Sequence, residues 1–174
     1  MAGISETSQD PCQFFRHVLR LSENHKLKDQ VAAISQTGTG LCDLRESITT
    51  FLSQKARESY PNLSALVGED LAIDFAVLAG GKKRMVRMPS STIQVIGAEK
   101  ALFNHLSKGK RPPKHGIIFR FPGLAGLPTA KRGKVARMIA NKMAIAIRAD
   151  YLGSRIDTES MRSAILAAIK RGSA

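Results

Sequence analysis

Apolar residues recur every three or four positions along most of this chain, and this spacing limits the fold more than any other sequence feature. In residues 63–78 the apolar stripe is followed by Gly80-Gly81, a typical helix stop. A period near 3.6 residues places such side chains on one face of an α-helix. Residues 129–152 carry the same pattern over a longer span. The sequence therefore predicts an all-α protein.

Shorter helices are predicted on both sides of these two. The run Thr37-Gly-Thr-Gly40 is expected to end a weak helix, and Asn62 and Asp157 are expected to cap the helices that follow them. A helix over residues 41–58 should end before Tyr60-Pro61, because the residue before a proline disfavours helical geometry. The other predicted helices are residues 12–24, 28–34, 97–107 and 157–170, with a basic linker at 82–87, a short extended piece or helical turn at 90–96, a short extended segment at 117–121, and loops at 109–116 and 122–128.

The positive charge is concentrated in one segment. The net charge of the chain is +13, and residues 82–148 contain 16 Lys and Arg but one carboxylate, Glu99. Ion pairing inside this segment would need carboxylates that it lacks. We therefore expect a phosphate-binding surface, with a merely solvated basic face as the alternative.

Two parts of this segment are the predicted phosphate contacts. On a helical wheel of residues 129–152, Lys134, Arg137, Asn141 and Arg148 lie opposite the apolar face. In the loop of residues 108–116, Pro112-Pro113 favour extended geometry and limit the entropy that the basic side chains lose on binding. His115 is a candidate for stacking on an unpaired base, or is simply exposed. The apolar face of the helix comprises Val135, Ile139, Met143 and Ala146.

The aromatic content bears on the kind of nucleic acid. Aromatic residues make up 5% of the chain and Trp is absent. Phe103, Phe119 and Phe121 have apolar neighbours and are expected in the core. A sequence-tolerant single-strand binder usually presents aromatic platforms. Their scarcity favours recognition of RNA shape and phosphates.

The sequence shows no catalytic constellation. A metal-dependent nuclease needs clustered carboxylates, and Asp70 and Asp74, which share a helical face, are expected to be ordinary ion-pair partners. Phosphate-loop and zinc spacings are also missing. We therefore predict a protein that is not an enzyme and uses no metal or cofactor.

Cysteine usage and hydropathy suggest a compartment. The first ten residues lack the features of a secretory signal, and no apolar run is long enough to span a bilayer. Cys12 and Cys42 are expected to be reduced thiols. These observations predict a soluble cytoplasmic protein with no membrane partner.

Several longer strings resemble the Nop domain of box C/D ribonucleoprotein scaffolds, a family with relatives among pre-mRNA splicing factors. They are PNLSALVG at residues 61–68, MPSSTIQVIGAEKALF at 88–103, RPPKHGIIF at 111–119, KRGKVAR at 131–137, NK at 141–142 and RAD at 148–150. The similarity covers about residues 41–157, and the PPKHG version looks more archaeal than eukaryotic. It implies residues 59–174 as a helical Nop RNA-binding domain and residues 1–58 as a shortened coiled-coil-like helical region.

The resemblance implies a specific role in RNA processing and rRNA modification. Nop domains clamp a kink-turn RNA together with a small, ribosomal-like kink-turn-binding protein, and the GAEK motif belongs to that composite surface. Glu99 would then face the partner protein, or it is a simple helix-capping acid. Together with the charge pattern, the resemblance assigns partner binding to Gly97, Ala98 and Glu99, and RNA binding to Lys100, Lys108, Lys110, Arg111, Lys114, His115, Arg120, Lys131, Arg132, Lys134 and Arg137.

Two departures from the family pattern affect these expectations. Asn104 follows Ala-Leu-Phe where the family commonly has a basic residue, so one RNA contact is in question. Full-length scaffolds also carry an N-terminal domain that binds fibrillarin, and only about 40 residues precede the matching region here. Fibrillarin is therefore a doubtful partner. The alternatives to a kink-turn module are a general RNA- or DNA-binding accessory protein and, less favoured, a metal-dependent nuclease.

Overall fold

The computed structural model describes residues 10–21 and 28–173, and all regular secondary structure in these ranges is helical. The predicted all-α fold is confirmed. The chain forms two compact units, Met1–Phe51 and Leu52–Ala174. The helices are α1 (Pro11–Leu21), α2 (Lys28–Ser59), α3 (Pro61–Val67), α4 (Glu69–Ala79), α5 (Lys82–Met85), α6 (Ser90–Val95), α7 (Glu99–Lys108), α8 (Thr129–Leu152) and α9 (Thr158–Ser173), with a 3₁₀ turn at Ile117–Arg120.

A disulfide joins α1 to α2. It links Cys12 and Cys42, which are 30 residues apart in sequence and whose Cα atoms are 5.7 Å apart. The prediction of reduced thiols is therefore wrong, and the prediction of a cytoplasmic compartment loses that part of its support. The spacing of the two cysteines in the sequence could not predict this pairing. A disulfide requires their Cα atoms to lie close together, and the fold determines that distance. The predicted extension of α1 over residues 22–24 lies outside the described residues.

Helix α2 continues through Thr37-Gly-Thr-Gly40, so the predicted helix break is wrong. The Thr37 hydroxyl donates to the Ala33 carbonyl one turn earlier, within the helix. At Gly38 an added Cβ would lie 2.5 Å from the ring of Phe15 in α1. The glycine therefore makes room for an aromatic side chain, and this packing outweighs its poor helix propensity of about 1 kcal/mol.

The later part of α2 exposes an apolar stripe. Leu41, Leu44, Ile48 and Phe51 are between 49% and 65% exposed. They alternate at three and four residues, which is the spacing of a coiled-coil seam. Helix α2 ends at Ser59, just before Tyr60-Pro61, as predicted.

The helix predicted over residues 63–78 is divided in two. Gly68 has φ 92°, a backbone conformation that a helix interior does not allow, and it separates α3 from α4. The apolar stripe continues across the break, since Leu63, Leu71 and Phe75 are all buried. Periodicity alone therefore predicted the buried face correctly as far as Phe75, but Leu78 at its end is 48% exposed, and the predicted continuity of the helix is wrong.

Asn62 does not cap α3 as predicted. Pro61 occupies the first turn after Tyr60, and Asn62 lies within the helix and is buried. Its side-chain amide donates to Asp150 Oδ1 and to the Ser154 carbonyl. The capping acceptor comes instead from α8, because the carboxylate of Asp150 accepts the backbone N–H groups of residues 62 and 63.

Helix α8 is the central element of unit Leu52–Ala174. Its bounds match the predicted residues 129–152, and its apolar face is buried against α3, α6 and α9 as predicted. Lys134, Arg137 and Arg148 on the opposite face are exposed. Helix α9 follows, with Asp157 Oδ1 accepting the N–H of Ser160, which confirms Asp157 as its N-terminal cap.

Three short segments before α8 turn out helical. The predicted linker at residues 82–87 contains α5, and residues 90–96 contain α6, so the helical alternative is the correct one there. The extended segment predicted at 117–121 is wrong, because Ile117–Arg120 is a 3₁₀ turn. Short apolar runs do not distinguish these structures by pattern, since the run is shorter than two helical turns.

Candidate nucleic-acid interface

Backbone hydrogen bonds join two segments: the residues leading into the GAEK turn (residues 97–100) and the end of the proline-containing loop (residues 108–116). The N–H of Gly116 donates to the Gln94 carbonyl and the N–H of Ile117 donates to the Ile96 carbonyl, both at 2.8 Å. An added Cβ at Gly116 would lie 1.8 Å from the Ile96 carbonyl oxygen, so only glycine permits this approach. The structure therefore places the predicted partner motif directly beside the predicted RNA-binding loop.

Gly97 completes this junction. Its φ is +83°, and an added Cβ would lie 2.3 Å from the side chain of Ile117. The Glu99 carboxylate accepts the N–H of Gly97 at 2.7 Å, so it stabilises the turn that precedes α7. Glu99 remains exposed. The contact gives the carboxylate a capping role inside the chain, and its assignment as a partner contact stays a prediction.

Lys114 connects the loop to the start of α8. Its ammonium donates to the Thr129 carbonyl at 3.1 Å, and its alkyl chain runs past Gly133, where an added Cβ would meet it at 3.6 Å. The Lys114 carbonyl in turn accepts the side-chain amide of Gln94 at 2.6 Å. Lys114 stays exposed, so it anchors the loop and still presents its charge to solvent.

His115 and Arg132 form a stack within the protein. The ring of His115 lies 4.6 Å from that of Phe119 and nearly parallel to it, and the Arg132 guanidinium lies 5.3 Å from the same Phe119 ring. Arg132 also donates to the carbonyls of Leu127 and Ala125, which fixes the loop before α8. His115 and Arg132, both predicted RNA contacts, are therefore half-buried and stabilise the loops of the candidate interface through contacts within the protein.

The environment of His115 disfavours its charged form. Burial, followed by the positive charge of Arg132 and then that of Lys114, lowers the pKa of His115 below its usual 6.5. The neutral form of the ring therefore predominates at pH 7. A neutral ring can stack and accept a hydrogen bond, and it adds no charge to the predicted phosphate-binding surface.

Arg120 differs from the other predicted RNA contacts because it has an acidic partner. It forms an ion pair with Asp74 on α4, which is the ion-pair role expected for that carboxylate. Both side chains are largely exposed, so this pair contributes little to stability. The remaining predicted contacts are exposed cations without an ion pair among the described residues: Lys100, Lys108, Lys110, Arg111, Lys131, Lys134 and Arg137.

Helix α7 presents an apolar surface that the sequence did not reveal. Phe103 is 67% exposed and Leu106 is 75% exposed, and no residue of α7 is fully buried. The prediction that Phe103 belongs to the core is therefore wrong, although Phe121 is buried and Phe119 is half-buried as expected. The three-residue spacing of Phe103 and Leu106 places them on one helical face. Only the tertiary structure shows that nothing in the described part of the chain covers that face.

The described residues contain neither a metal-binding cluster nor a candidate membrane-spanning helix. No group of three His, Cys, Asp or Glu side chains among them is arranged to hold a metal ion. Within the same residues, no helix combines the length and the apolar character that a membrane crossing needs.

Comparisons with known proteins agree with this geometry. A family described as "Nop: snoRNA binding domain, fibrillarin" matches residues 8–171. An uncharacterized NOP5 family protein of Methanocaldococcus jannaschii is 44% identical over 75% of this chain and 32% of its own length. Nucleolar protein 56 of Homo sapiens is 35% identical over 69% of this chain and 20% of its own length. This chain therefore spans about a third or less of these relatives.

A solved structure is also similar. It is a crystal structure of a fibrillarin/Nop5p complex, in which the matching chain has a TM-score of 0.62, 31% identity, and coverage of 92% of this chain and 61% of its own. The expectation that fibrillarin is a doubtful partner finds no support here, because both the family description and this complex name fibrillarin. A match over residues 8–171, together with these relatives, shows that the chain belongs to the Nop family.

Proposed function

We propose that this chain is a non-catalytic RNA-binding module that holds a kink-turn RNA together with a small kink-turn-binding protein. The proposal rests on one observation above all: the backbone junction between residues 94–97 and 116–117 joins the partner motif to the cationic loop. RNA and partner protein would then meet the chain on adjoining surfaces. The family description, a snoRNA binding domain, agrees with this role.

The cations of the loop and of α8 supply the affinity for RNA. Lys110, Arg111 and Lys114 lie in a loop that is fixed at Gly116 and at Thr129, so little further ordering is needed when phosphates bind. Lys134 and Arg137 extend the positive surface along α8. Counterion release from the phosphates makes such binding strongly salt-dependent.

The apolar face of α7 favours a protein partner in addition to RNA. Phe103 and Leu106 are too exposed for core residues and lie in the helix that begins at Glu99. Apolar side chains neither neutralise nor hydrogen-bond to a phosphate backbone, whereas the centre of a protein interface typically contains aromatic and apolar side chains. The exposed carboxylate of Glu99 at the start of the same helix suits a basic partner.

A gel-shift series tests the composite surface. The chain is titrated into a kink-turn RNA and into a straight duplex of equal length, each with and without a kink-turn-binding protein. We expect the highest affinity for the kinked RNA with its protein bound. Equal affinity in all four mixtures would instead identify a general nucleic-acid-binding accessory protein. Incubation of labelled RNA with the chain and a divalent metal should leave the RNA intact.

Fibrillarin enters the proposal through the fibrillarin/Nop5p complex. The similarity to Nop5p in that complex extends over 92% of this chain. We therefore include fibrillarin among the partners to be tested. Co-elution of the chain with fibrillarin in size-exclusion chromatography would support it, and separate elution at micromolar concentrations would remove it from the proposal.

A further inference from the structure

A groove lies between α8 and α9 along the N-terminal half of α8. Its volume is about 630 Å³, which is in the range of small-molecule sites. Val135, Met138 and Ala168 contribute apolar surface to it. Four cations also line it, three from α8 and one from α9: Lys131, Lys134, Arg137 and Arg171.

The charge of this groove is unbalanced. No carboxylate lines it, and among the described residues none of its four cations takes part in an ion pair. The positive potential of neighbouring cations adds up in a concave site, which favours an anionic occupant. Because the walls are apolar, that occupant should also carry an uncharged, flat or hydrophobic part.

Small residues of α9 line the groove on one side. Ala168 and Gly172 project no long side chain into it, and Gly172 is buried against Leu127, whose side chain would lie 2.7 Å from an added Cβ. On α8, Met138 is half-buried and offers a flexible thioether. Asn141 adds an amide with both a donor and an acceptor.

We propose that this groove binds one unpaired nucleotide of a bound RNA, an inference that rests on the proposed RNA-binding function. The base lies against Val135 and Met138, its edge reaches Asn141, and its phosphate is held by Lys134 and Arg171. Residues 131–141 extend about 15 Å along α8, enough for a nucleotide and its flanking phosphate.

Continuity with the RNA surface favours a nucleotide over an acidic peptide. Lys131, Lys134 and Arg137 belong both to the groove and to the exposed cationic face of α8. An RNA strand that follows this face therefore brings its next nucleotide to the groove without a further protein segment. Arg171 is the new element, because it comes from α9 and lies outside the basic segment of the sequence.

The test compares two labelled probes of equal charge by fluorescence anisotropy at low salt. One is a uridylate decamer, and the other is a decamer of the same ribose phosphates without bases. Counterion release is the same for both, so their difference reports the base. We expect the abasic probe to bind about fivefold more weakly or worse. The Ala168→Trp variant, which fills the groove, should bind both probes equally; circular dichroism checks that it is folded.

Arg171→Ala has a matched control in Lys170→Ala, which removes the same charge from the neighbouring position outside the groove. We expect Arg171→Ala to weaken uridylate binding about fivefold and Lys170→Ala by less than about twofold. The groove inference is overturned if Arg171→Ala and Lys170→Ala weaken binding equally and the two probes bind with equal affinity. The RNA-binding function still stands in that case, provided that Lys108→Ala and Lys110→Ala weaken binding. If uridylate does not bind at all, the groove inference falls, whereas the proposed function is decided separately by the titrations with kink-turn RNA. An acidic peptide whose binding depends on Arg171, with RNA binding unaffected by that residue, would assign the groove to a protein partner instead.

Discussion

Asn62 and Asp150 lie 88 positions apart in sequence, and two hydrogen bonds of 2.8 Å join them in the core. One comes from the backbone N–H of Asn62 and the other from its side-chain amide. Both residues are nearly inaccessible, at 2% and 4% exposure. The carboxylate thereby caps α3 from the end of α8 and fixes these two helices to each other.

Replacement of Asp150 should be among the most destabilising changes in this chain. Asp150→Ala leaves the buried N–H groups of Asn62 and Leu63 without acceptors, so we expect a loss of about 3 kcal/mol in the free energy of unfolding. Asp157→Ala removes an exposed cap from α9 and should cost about 1 kcal/mol. Urea unfolding followed by circular dichroism measures both. Equal losses would contradict a special role for the buried network.

Gly116→Ala should separate the loop from the GAEK turn. The new methyl group would overlap the Ile96 carbonyl, and relief of that clash requires the two backbones to move apart. We expect a loss of about 2 kcal/mol or more in stability and weaker RNA binding. The control is Gly40→Ala, because Gly40 lies in α2 with open space around it and should gain up to about 1 kcal/mol. An unchanged melting temperature for Gly116→Ala would refute the junction.

Lys134→Ala and Arg137→Ala should each weaken RNA binding and flatten its salt dependence. Each lost phosphate contact reduces the slope of log affinity against log salt by about one unit. Arg155→Ala, an exposed cation in the turn between α8 and α9, serves as the control and should leave the slope unchanged. Filter binding over a salt series gives the three slopes. Identical slopes would show that the total charge matters and the α8 face does not.

Phe103→Ala and Leu106→Ala should weaken assembly with a kink-turn protein and its RNA. If the exposed face of α7 lies at the centre of that interface, we expect about tenfold weaker binding to the protein–RNA complex. Stability should change by less than about 0.5 kcal/mol, because neither side chain is buried. Val77→Ala is the control, since Val77 is 73% exposed on α4. Isothermal titration calorimetry in which all three variants match the parent chain would exclude this face.

The titration of His115 should reflect its enclosed position. Its pKa lies below 6.5 in the folded chain because burial and the nearby Arg132 disfavour the imidazolium. The folded state therefore binds fewer protons than the unfolded state near this pH. The contribution of His115 to the free energy of unfolding is then fully present above pH 6.5 and declines as the pH falls through 6.5 toward the lower folded pKa. An NMR titration should show a raised pKa once RNA phosphates offset the surrounding cations. A pKa at or above 6.5 in the free chain would contradict the stacked geometry.

Local patterns predicted much of the helical structure correctly. The bounds of α8, its buried face, the stop at Ser59 and the cap at Asp157 depend on periodicity, proline chemistry and capping residues that act within a few positions. The errors at Thr37–Gly40, Asn62 and Phe103 share a different cause. In each, the outcome depends on a part of the chain that is distant in sequence. Phe15 packs at Gly38 and Asp150 bonds to Asn62, whereas no described element covers Phe103.

The basic segment of residues 82–148 and the Nop motifs were determined by the sequence alone, because charge and motif order do not depend on folding. Tertiary structure decided how those cations are used. It turned Arg132 and His115 toward Phe119, paired Arg120 with Asp74, and left Lys134 and Arg137 exposed. It also brought Arg171 of α9 beside α8. The reason is physical: a side chain's charge is a local property, but its solvation and its neighbours are set by contacts between residues far apart in the chain.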